Sequence, residues 1–245
     1  MISRVAFEWA MRDIVQGKRG LGLLLAAAFP TLFLSVVALM VDPVPASEAE
    51  EVTAIIVTSF IMPPIVAIMA LFVGGAVLRQ PIEDGTIVYM LTRPVKRMQV
   101  GMSRCLAIAL TVSVATAVSG GLLIIALGEL RLILGAMPGL LVGGFALGAL
   151  YGFILSLHKF AIGGVLIHAI YEGMVARVPF DVRLYTVSWH AWGWMGEATR
   201  VASREGLIFG NGGNGLVAIL MGVLAIVLTG LWVERRAFHL NLGEQ

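Results

Sequence analysis

Three polar residues that could do chemistry lie together in an otherwise apolar run. His168, Tyr171 and Glu172 are spaced by three and four residues, so a helix would place them on one face. An ionisable side chain in an apolar helix is costly and faces a cavity or a polar partner. We therefore take the trio as the leading candidate for a substrate path. The same pattern also fits a Glu172 that reaches the outer headgroups and a His168 that makes one interhelical hydrogen bond.

The other reactive residue types form no catalytic or nucleotide-binding pattern. Cys105 is the only cysteine, which excludes a disulfide framework and a cysteine-based metal cluster. Lys18 is followed by Arg19, where a phosphate-binding loop needs Ser or Thr. Residues 119–121 lack the leading Gly of a serine nucleophile motif, because Ala117 occupies that position. We predict no catalytic residue, no metal and no cofactor bound by this chain.

The composition of the chain is that of a membrane protein. Of its 245 residues, 59% are hydrophobic and 13% are charged, and the mean hydropathy is +0.94. A bilayer core about 30 Å thick takes roughly 20 helical residues to cross. Apolar runs of about this length, without the period-two alternation of barrel strands, cover residues 20–41, 52–78, 100–127, 132–157, 160–178 and 215–233. The sequence predicts an all-α membrane protein, one domain of residues 1–245 with six transmembrane helices.

The positions of Lys and Arg predict how these helices are oriented. Short cytoplasmic connections retain positive charge. With both termini in the cytoplasm, the inner side holds twelve of the seventeen basic residues, namely Arg4, Arg12, Lys18, Arg19, Arg79, Arg93, Lys96, Arg97, Arg104, Lys159, Arg235 and Arg236. We therefore predict two cytoplasmic termini.

The five tryptophans offer an independent check on this topology. Indole rings favour the headgroup level, because one end of the ring is apolar and the other is polar. Trp9 and Trp232 fall at the proposed inner face, and Trp189, Trp192 and Trp194 fall at the outer face. We predict that all five are interface anchors.

Residues 1–19 have the pattern of an amphipathic helix. Arg4, Glu8 and Arg12 recur every four residues and form one polar stripe. The pattern predicts an interfacial helix that lies on the inner leaflet. A helical extension of the first span is the alternative.

Two features of the apolar runs concern helix packing. Gly144, Gly148 and Gly152 recur every four residues in span four, a spacing that lets helices approach closely in lipid. Their partner helix can belong to the same chain, which we favour, or to a second copy. Pro63 and Pro64 should kink or break span two. Such a break forms a hinge or a binding notch in the substrate path, or it is a tolerated kink.

A polar segment, residues 79–98, separates spans two and three. Glu83 and Asp84 fall in the first turn of a short helix, where the helix dipole favours acids. Arg93 precedes Pro94, and the residue before a proline is pushed out of the helical region. The segment therefore predicts a short amphipathic helix at the inner membrane surface.

This segment resembles the coupling region of the permease subunits of type-two ATP-binding-cassette exporters. The matching motifs are a Glu-x-Gly-Thr string after span two, a Pro-Val-x-Arg turn before span three and a basic residue on the next helix. In this chain they are Glu83, Gly85, Thr86, Pro94, Val95, Arg97 and Arg104. The six-span layout is similar too. An ordinary cytoplasmic loop that carries positive charge is the alternative.

The resemblance implies a coupling helix that docks into a separate ATPase subunit, which would bind ATP and Mg. The residues expected to meet that subunit are Glu83, Asp84, Gly85, Thr86, Arg93, Pro94 and Arg97. The resemblance also implies a homodimer of two permease copies in the lipid bilayer of a prokaryotic plasma (inner) membrane. No nucleic-acid partner is expected.

In similar permeases the connection between spans five and six forms an outer helical hairpin. Here that connection is residues 179–214, which contain three of the tryptophans and a helix-like run over residues 195–207. Residues 210–214, rich in Gly and Asn, are expected to form a flexible return into span six. A lid over the pathway and a plain aromatic anchor are equally consistent with this segment.

The expected function is that of a membrane-spanning permease subunit of an ATP-driven exporter, which is not an enzyme by itself. A non-catalytic assembly or maturation factor of the same architecture is the alternative, and an intramembrane hydrolase is less favoured. No motif selects the cargo.

Overall fold

The structure is a computed structural model, and every regular element that it describes is a helix. It describes residues 2–15, 20–23, 25–29, 32–33, 56–83, 96–127, 130–157, 160–175, 184–195 and 210–235. The all-α class is confirmed for these ranges. Most of the polar segment between spans two and three, residues 84–95, lies outside them.

Four helices are long and apolar enough to cross a membrane. They are Ile61–Arg79, Arg97–Ala126, Ile133–Leu157 and Asn214–Arg235, and they coincide with predicted spans two, three, four and six. Two other apolar helices, Gly20–Phe29 and Ala161–Val175, are shorter. The second rises about 22 Å over its 15 residues, less than the roughly 30 Å of a bilayer core. These helices indicate a membrane protein, and four of the six predicted spans coincide with helices long and apolar enough to cross a bilayer.

We number the helices in chain order. They are α1 (Arg4–Val15), α2 (Gly20–Phe29), α3 (residues 57–83), α4 (Arg97–Ala126), α5 (Arg131–Leu157), α6 (Ala161–Val175), α7 (Val187–Trp194) and α8 (Gly210–Arg235). Helices α4, α5 and α8 pack against one another and form the centre of the bundle. Short connections make α4, α5 and α6 consecutively antiparallel.

Glycines bring α5 close to α4. A Cβ atom added to Gly144 would lie 2.9 Å from the Cα atom of Ser113, and one added to Gly148 would lie 2.9 Å from the Cβ atom of Val112. Gly152 also faces α4. These three glycines therefore lie against a helix of the same chain, where only the absence of a side chain allows the approach.

Helix α3 continues through its two adjacent prolines. Pro63 and Pro64 lie within a π-helical segment, Val57–Ile65. The N–H of Val66 donates to the carbonyl of Ile61, five residues back. Since proline has no N–H to donate, the wider π-helical turn lets the helix pass both residues without ending. A second π-helical segment, Gly75–Arg79, precedes the last turn of α3, Gln80–Glu83.

Helix α1 packs along the first half of α4. The N–H of Ser3 donates to Ser103 Oγ at 2.9 Å, and Thr111 Oγ1 donates to Met11 Sδ at 3.7 Å. Eight residues separate these two contacts on each helix, so α1 and α4 run side by side in the same direction. The sequence predicts a helix that lies on the leaflet, whereas α1 is docked on the bundle through these contacts.

Candidate functional site

The carboxylate of Glu172 lies fully buried inside the bundle and binds the first turn of another helix. Its Oε1 atom accepts a hydrogen bond from the N–H of Val187 at 3.0 Å, and its Oε2 atom accepts one from the N–H of Ser188 at 2.8 Å. Both donors are the opening residues of α7. The first N–H groups of a helix have no partner within the helix, and the helix dipole favours a negative charge there. Glu172 therefore caps α7 from α6.

A second cap comes from the residue just before α7. Thr186 has extended backbone geometry, and its hydroxyl oxygen accepts a hydrogen bond from the N–H of Trp189 at 3.4 Å. A Thr in this position is a common helix start. The Thr186-to-Trp189 spacing is thus the local signal that could have located α7 in the sequence. The predicted helix over residues 195–207 begins where α7 has already ended, and residues 196–207 lie outside the described ranges.

The rest of the predicted trio surrounds this cap. His168 Nε2 lies 3.9 Å from Glu172 Oε1. The His168 ring lies 5.7 Å from the ring of Tyr171 and 5.7 Å, edge to face, from the ring of Tyr151. Tyr151 belongs to α5 and is fully buried, and no sequence pattern predicted it as a site residue. Three helices, α5, α6 and α7, therefore contribute polar groups to one buried junction.

A second buried network fastens the middle of α7 to α8. His190 Nδ1 lies 3.0 Å from Asn214 Oδ1, and His190 Nε2 lies 2.9 Å from the carbonyl oxygen of Leu184. A neutral imidazole donates through only one nitrogen. Both contacts are hydrogen bonds at once if the ring is protonated, or if the Asn214 amide turns its NH2 group toward Nδ1. The sequence offered no local signal for this pair, because 24 residues separate its members.

Packing also explains why α8 begins earlier than predicted. Residues 210–214 were expected to form a flexible return, but they are the first turn of α8, which starts at Gly210. Asn214 is fully buried against α7. Tertiary contacts of this kind override the low helix propensity of Gly and Asn.

Helix α7 lies inside the bundle, so the rings of Trp189 and Trp192 are covered by protein. Trp189 is 2% exposed and Trp192 is 8% exposed. On α5, a Cβ atom added to Gly143 would lie 2.8 Å from the Cβ atom of Ala191. The sequence predicts that these two rings contact lipid headgroups. In the structure they contact protein instead, because α7 inserts between helices and does not lie on the surface. The side chain of Trp194 lies outside the described part.

The other two predicted anchors lie on α1 and α8. Trp9 on α1 is half-buried. Trp232 on α8 is 39% exposed, and its Nε1 donates to the carbonyl oxygen of Ser156 at 3.0 Å. Trp232 lies near the end of α8, which is compatible with an anchoring role, whereas Trp9 lies in the middle of α1.

The predicted proline notch lies beside the Glu172 junction. A Cβ atom added to Gly173 would lie 3.8 Å from Pro63 Cγ. Pro63 is buried and Pro64 is exposed. The structure therefore brings Pro63 to the helix that carries His168 and Glu172.

A buried guanidinium forms a separate junction near the other ends of the helices. Arg104 on α4 is 1% exposed, and its Nη1 donates to the carbonyl oxygen of Val77 on α3. Its Nη2 lies 3.4 Å from Asp13 Oδ2 on α1, a carboxylate that is partly exposed. One side chain thus connects α1, α3 and α4. An arginine within an apolar run is the signal by which the sequence points to such a site.

The residues predicted to meet an ATPase fall largely outside the described ranges. Asp84, Gly85, Thr86, Arg93 and Pro94 lie there. Glu83 is the last residue of α3, and Arg97 is exposed at the start of α4. The structure therefore shows the two helix ends that flank the segment.

Comparisons with known proteins add no identification, since no known family, curated protein or solved structure matches this chain. Within the described ranges, no group of three or more His, Cys, Asp or Glu side chains could hold a metal ion.

Proposed function

We propose that this chain is the membrane-spanning permease subunit of an ATP-driven exporter, and that it receives mechanical work from a separate ATPase. The contact would be the segment between α3 and α4. The observation that supports this proposal best is the Arg104 junction, which lies just behind that segment.

The junction connects both helices that flank the segment. Val77 lies two residues before Arg79, which ends the π-helical part of α3, and Arg104 lies seven residues after the start of α4 at Arg97. The Arg104 side chain joins these two positions directly. A displacement of the segment would therefore move α3 and α4 together, and α1 with them through Asp13.

The energy of the junction favours motion as one body. A hydrogen bond made by a charged group is worth about 1.5–3 kcal/mol, and a buried charged donor that loses its acceptor costs more. The Asp13 side of the junction is partly exposed and contributes less. Separating Arg104 from the Val77 carbonyl would thus be more costly than moving the helices with their contacts intact.

The Glu172 junction gives such motion a place to act. Helix α7 is inserted among α3, α5, α6 and α8 and is held by Glu172 on α6 and Asn214 on α8. A change in the distance between these helices would release α7 or tighten its contacts. In our proposal, this is how access to the far side of the membrane changes.

The family resemblance supports the remaining parts of the proposal. Both termini would lie in the cytoplasm of a prokaryotic cell, and the protein would sit in the plasma (inner) membrane. Two copies would form a homodimer. ATP and Mg would bind to the ATPase subunits alone.

The proposal can be tested by isolating the complex from native membranes. We expect a cassette-type ATPase to co-purify with the chain and its ATP hydrolysis to change when the chain is reconstituted with it in liposomes. Gly85→Arg should abolish this association, because a long side chain would prevent close backbone approach. Thermal melting of the isolated chain checks that the variant is folded.

The matched control is Glu234→Lys, which reverses an exposed charge near the end of α8. This variant should retain the ATPase. Recovery of the intact complex without any nucleotide hydrolase would contradict the proposal and favour an assembly factor. Labelling of a cysteine placed at Gly85 from outside the cell would contradict it as well.

A further inference from the structure

Three buried polar atoms, each on a residue that lies near the start of α7, have no hydrogen-bond partner among the described residues. They are Tyr151 Oη, His168 Nδ1 and Ser188 Oγ. Tyr151 and Ser188 are both 0% exposed. The three residues come from three different helices, so no local turn accounts for their grouping.

The Glu172 carboxylate is the neighbour of two of these residues, His168 and Ser188. His168 Nε2 lies 3.9 Å from its Oε1 atom, and the Ser188 N–H donates to its Oε2 atom at 2.8 Å. The ring of Tyr151 lies 5.7 Å from that of His168. The residues that carry the unpartnered atoms therefore lie together in the bundle.

The chemistry of this cluster specifies a small neutral ligand that can both donate and accept. Each hydroxyl group can donate one hydrogen bond and accept others, and a neutral imidazole nitrogen does one or the other. A buried polar atom without a partner destabilises the fold, so several at one junction favour a ligand that completes their hydrogen bonds. A buried water meets that demand with two to four hydrogen bonds.

We propose that the junction of Tyr151, His168 and Ser188 is an internal water-binding site beside Glu172. At least one ordered water accepts from the Tyr151 hydroxyl and bonds to the Ser188 hydroxyl, with His168 beside it. The site places a hydrated, polar space at the N-terminal end of α7, in the interior of the bundle. It does not depend on the proposed transport function, because it follows from the described contacts alone.

Infrared difference spectroscopy tests the proposal directly. The full chain in lipid nanodiscs would be compared in ordinary and oxygen-18 water. We expect an O–H stretching band of a confined water that shifts with the isotope and is lost in Tyr151→Phe and in Ser188→Ala. Ser113→Ala is the control, because its hydroxyl already donates to the Leu141 carbonyl at 2.6 Å, and this variant should retain the band. The proposal is overturned if the wild-type spectrum shows no isotope-sensitive band. It is also overturned if the band is unchanged in both Tyr151→Phe and Ser188→Ala.

Thermal melting provides a second test, in which the direction of the Tm change decides for or against the water site. Tyr151→Phe keeps the ring and removes only the hydroxyl. A hydroxyl bonded to water stabilises the fold, so its removal should lower Tm by about 2–4 °C. A buried hydroxyl without any partner destabilises the fold, so its removal would leave Tm unchanged or raise it. Either result would contradict the proposal. Tyr185→Phe, at an exposed position, should not change Tm.

Discussion

Replacing the Glu172 carboxylate with an amide should loosen α7 from the bundle. Glu172→Gln keeps the size of the side chain but provides a single acceptor oxygen. The N–H groups of Val187 and Ser188 each bind one carboxylate oxygen. One of them would face the amide NH2 group, which cannot accept a hydrogen bond.

The expected loss follows from two contributions. A hydrogen bond to a charged acceptor is worth about 1.5–3 kcal/mol. A charge at a helix terminus in a partly buried geometry adds up to about 2 kcal/mol. We therefore expect a loss of about 3 kcal/mol in the free energy of unfolding. For a chain of 150–250 residues this corresponds to a fall in Tm of roughly 6–12 °C.

The tryptophans of α7 report the same event. Trp189 and Trp192 are buried, so undocking of α7 should shift their fluorescence emission to the red. Melting and emission would be measured on the purified chain in the same detergent. Glu8→Gln is the matched control, because its exposed ion pair with Arg4 contributes little and α7 is not involved. An unchanged Tm and emission spectrum in Glu172→Gln would refute the assignment of Glu172 as the cap of α7.

Three further outcomes follow from the described contacts. Arg104→Met removes the guanidinium that three helices share and takes this donor from the Val77 carbonyl. We expect the free energy of unfolding, measured by melting, to fall by about 1–3 kcal/mol. We also expect an ATPase that no longer responds to the chain, measured by hydrolysis in liposomes. Gly144→Ala should lower the free energy of unfolding by about 1–3 kcal/mol, because its methyl group would meet the backbone of α4. Gly163→Ala is the control: with open space around it, its stability should be unchanged or slightly higher. Equal Tm shifts in the two variants would contradict close packing at Gly144. Asn214→Ala removes the partner of His190 and should lower Tm by about 2–6 °C, which melting measures; a rise in Tm would mean that this contact does not hold α7.

Some of the candidate site could be selected from the sequence, because ionisable residues in apolar helices are rare and costly. That rule selected Glu172 and His168, which the structure brings together with Pro63 at one end of the bundle. The same rule did not identify the residues that surround them. Tyr151 looks like an ordinary residue of an apolar helix, and Ser188 and Asn214 look like residues of a loop.

The physical difference is the range of the interactions. Hydropathy is a local property, so the sequence by itself indicated a helical membrane protein and located four helices that are long and apolar enough to cross a bilayer. Caps and burial are decided by neighbours that are distant along the chain. Glu172 reaches Ser188 across 16 positions, and Arg104 reaches Val77 across 27. The amphipathic indole of Trp189 favours a membrane surface, yet the insertion of α7 among other helices buries it, and only tertiary packing could decide that.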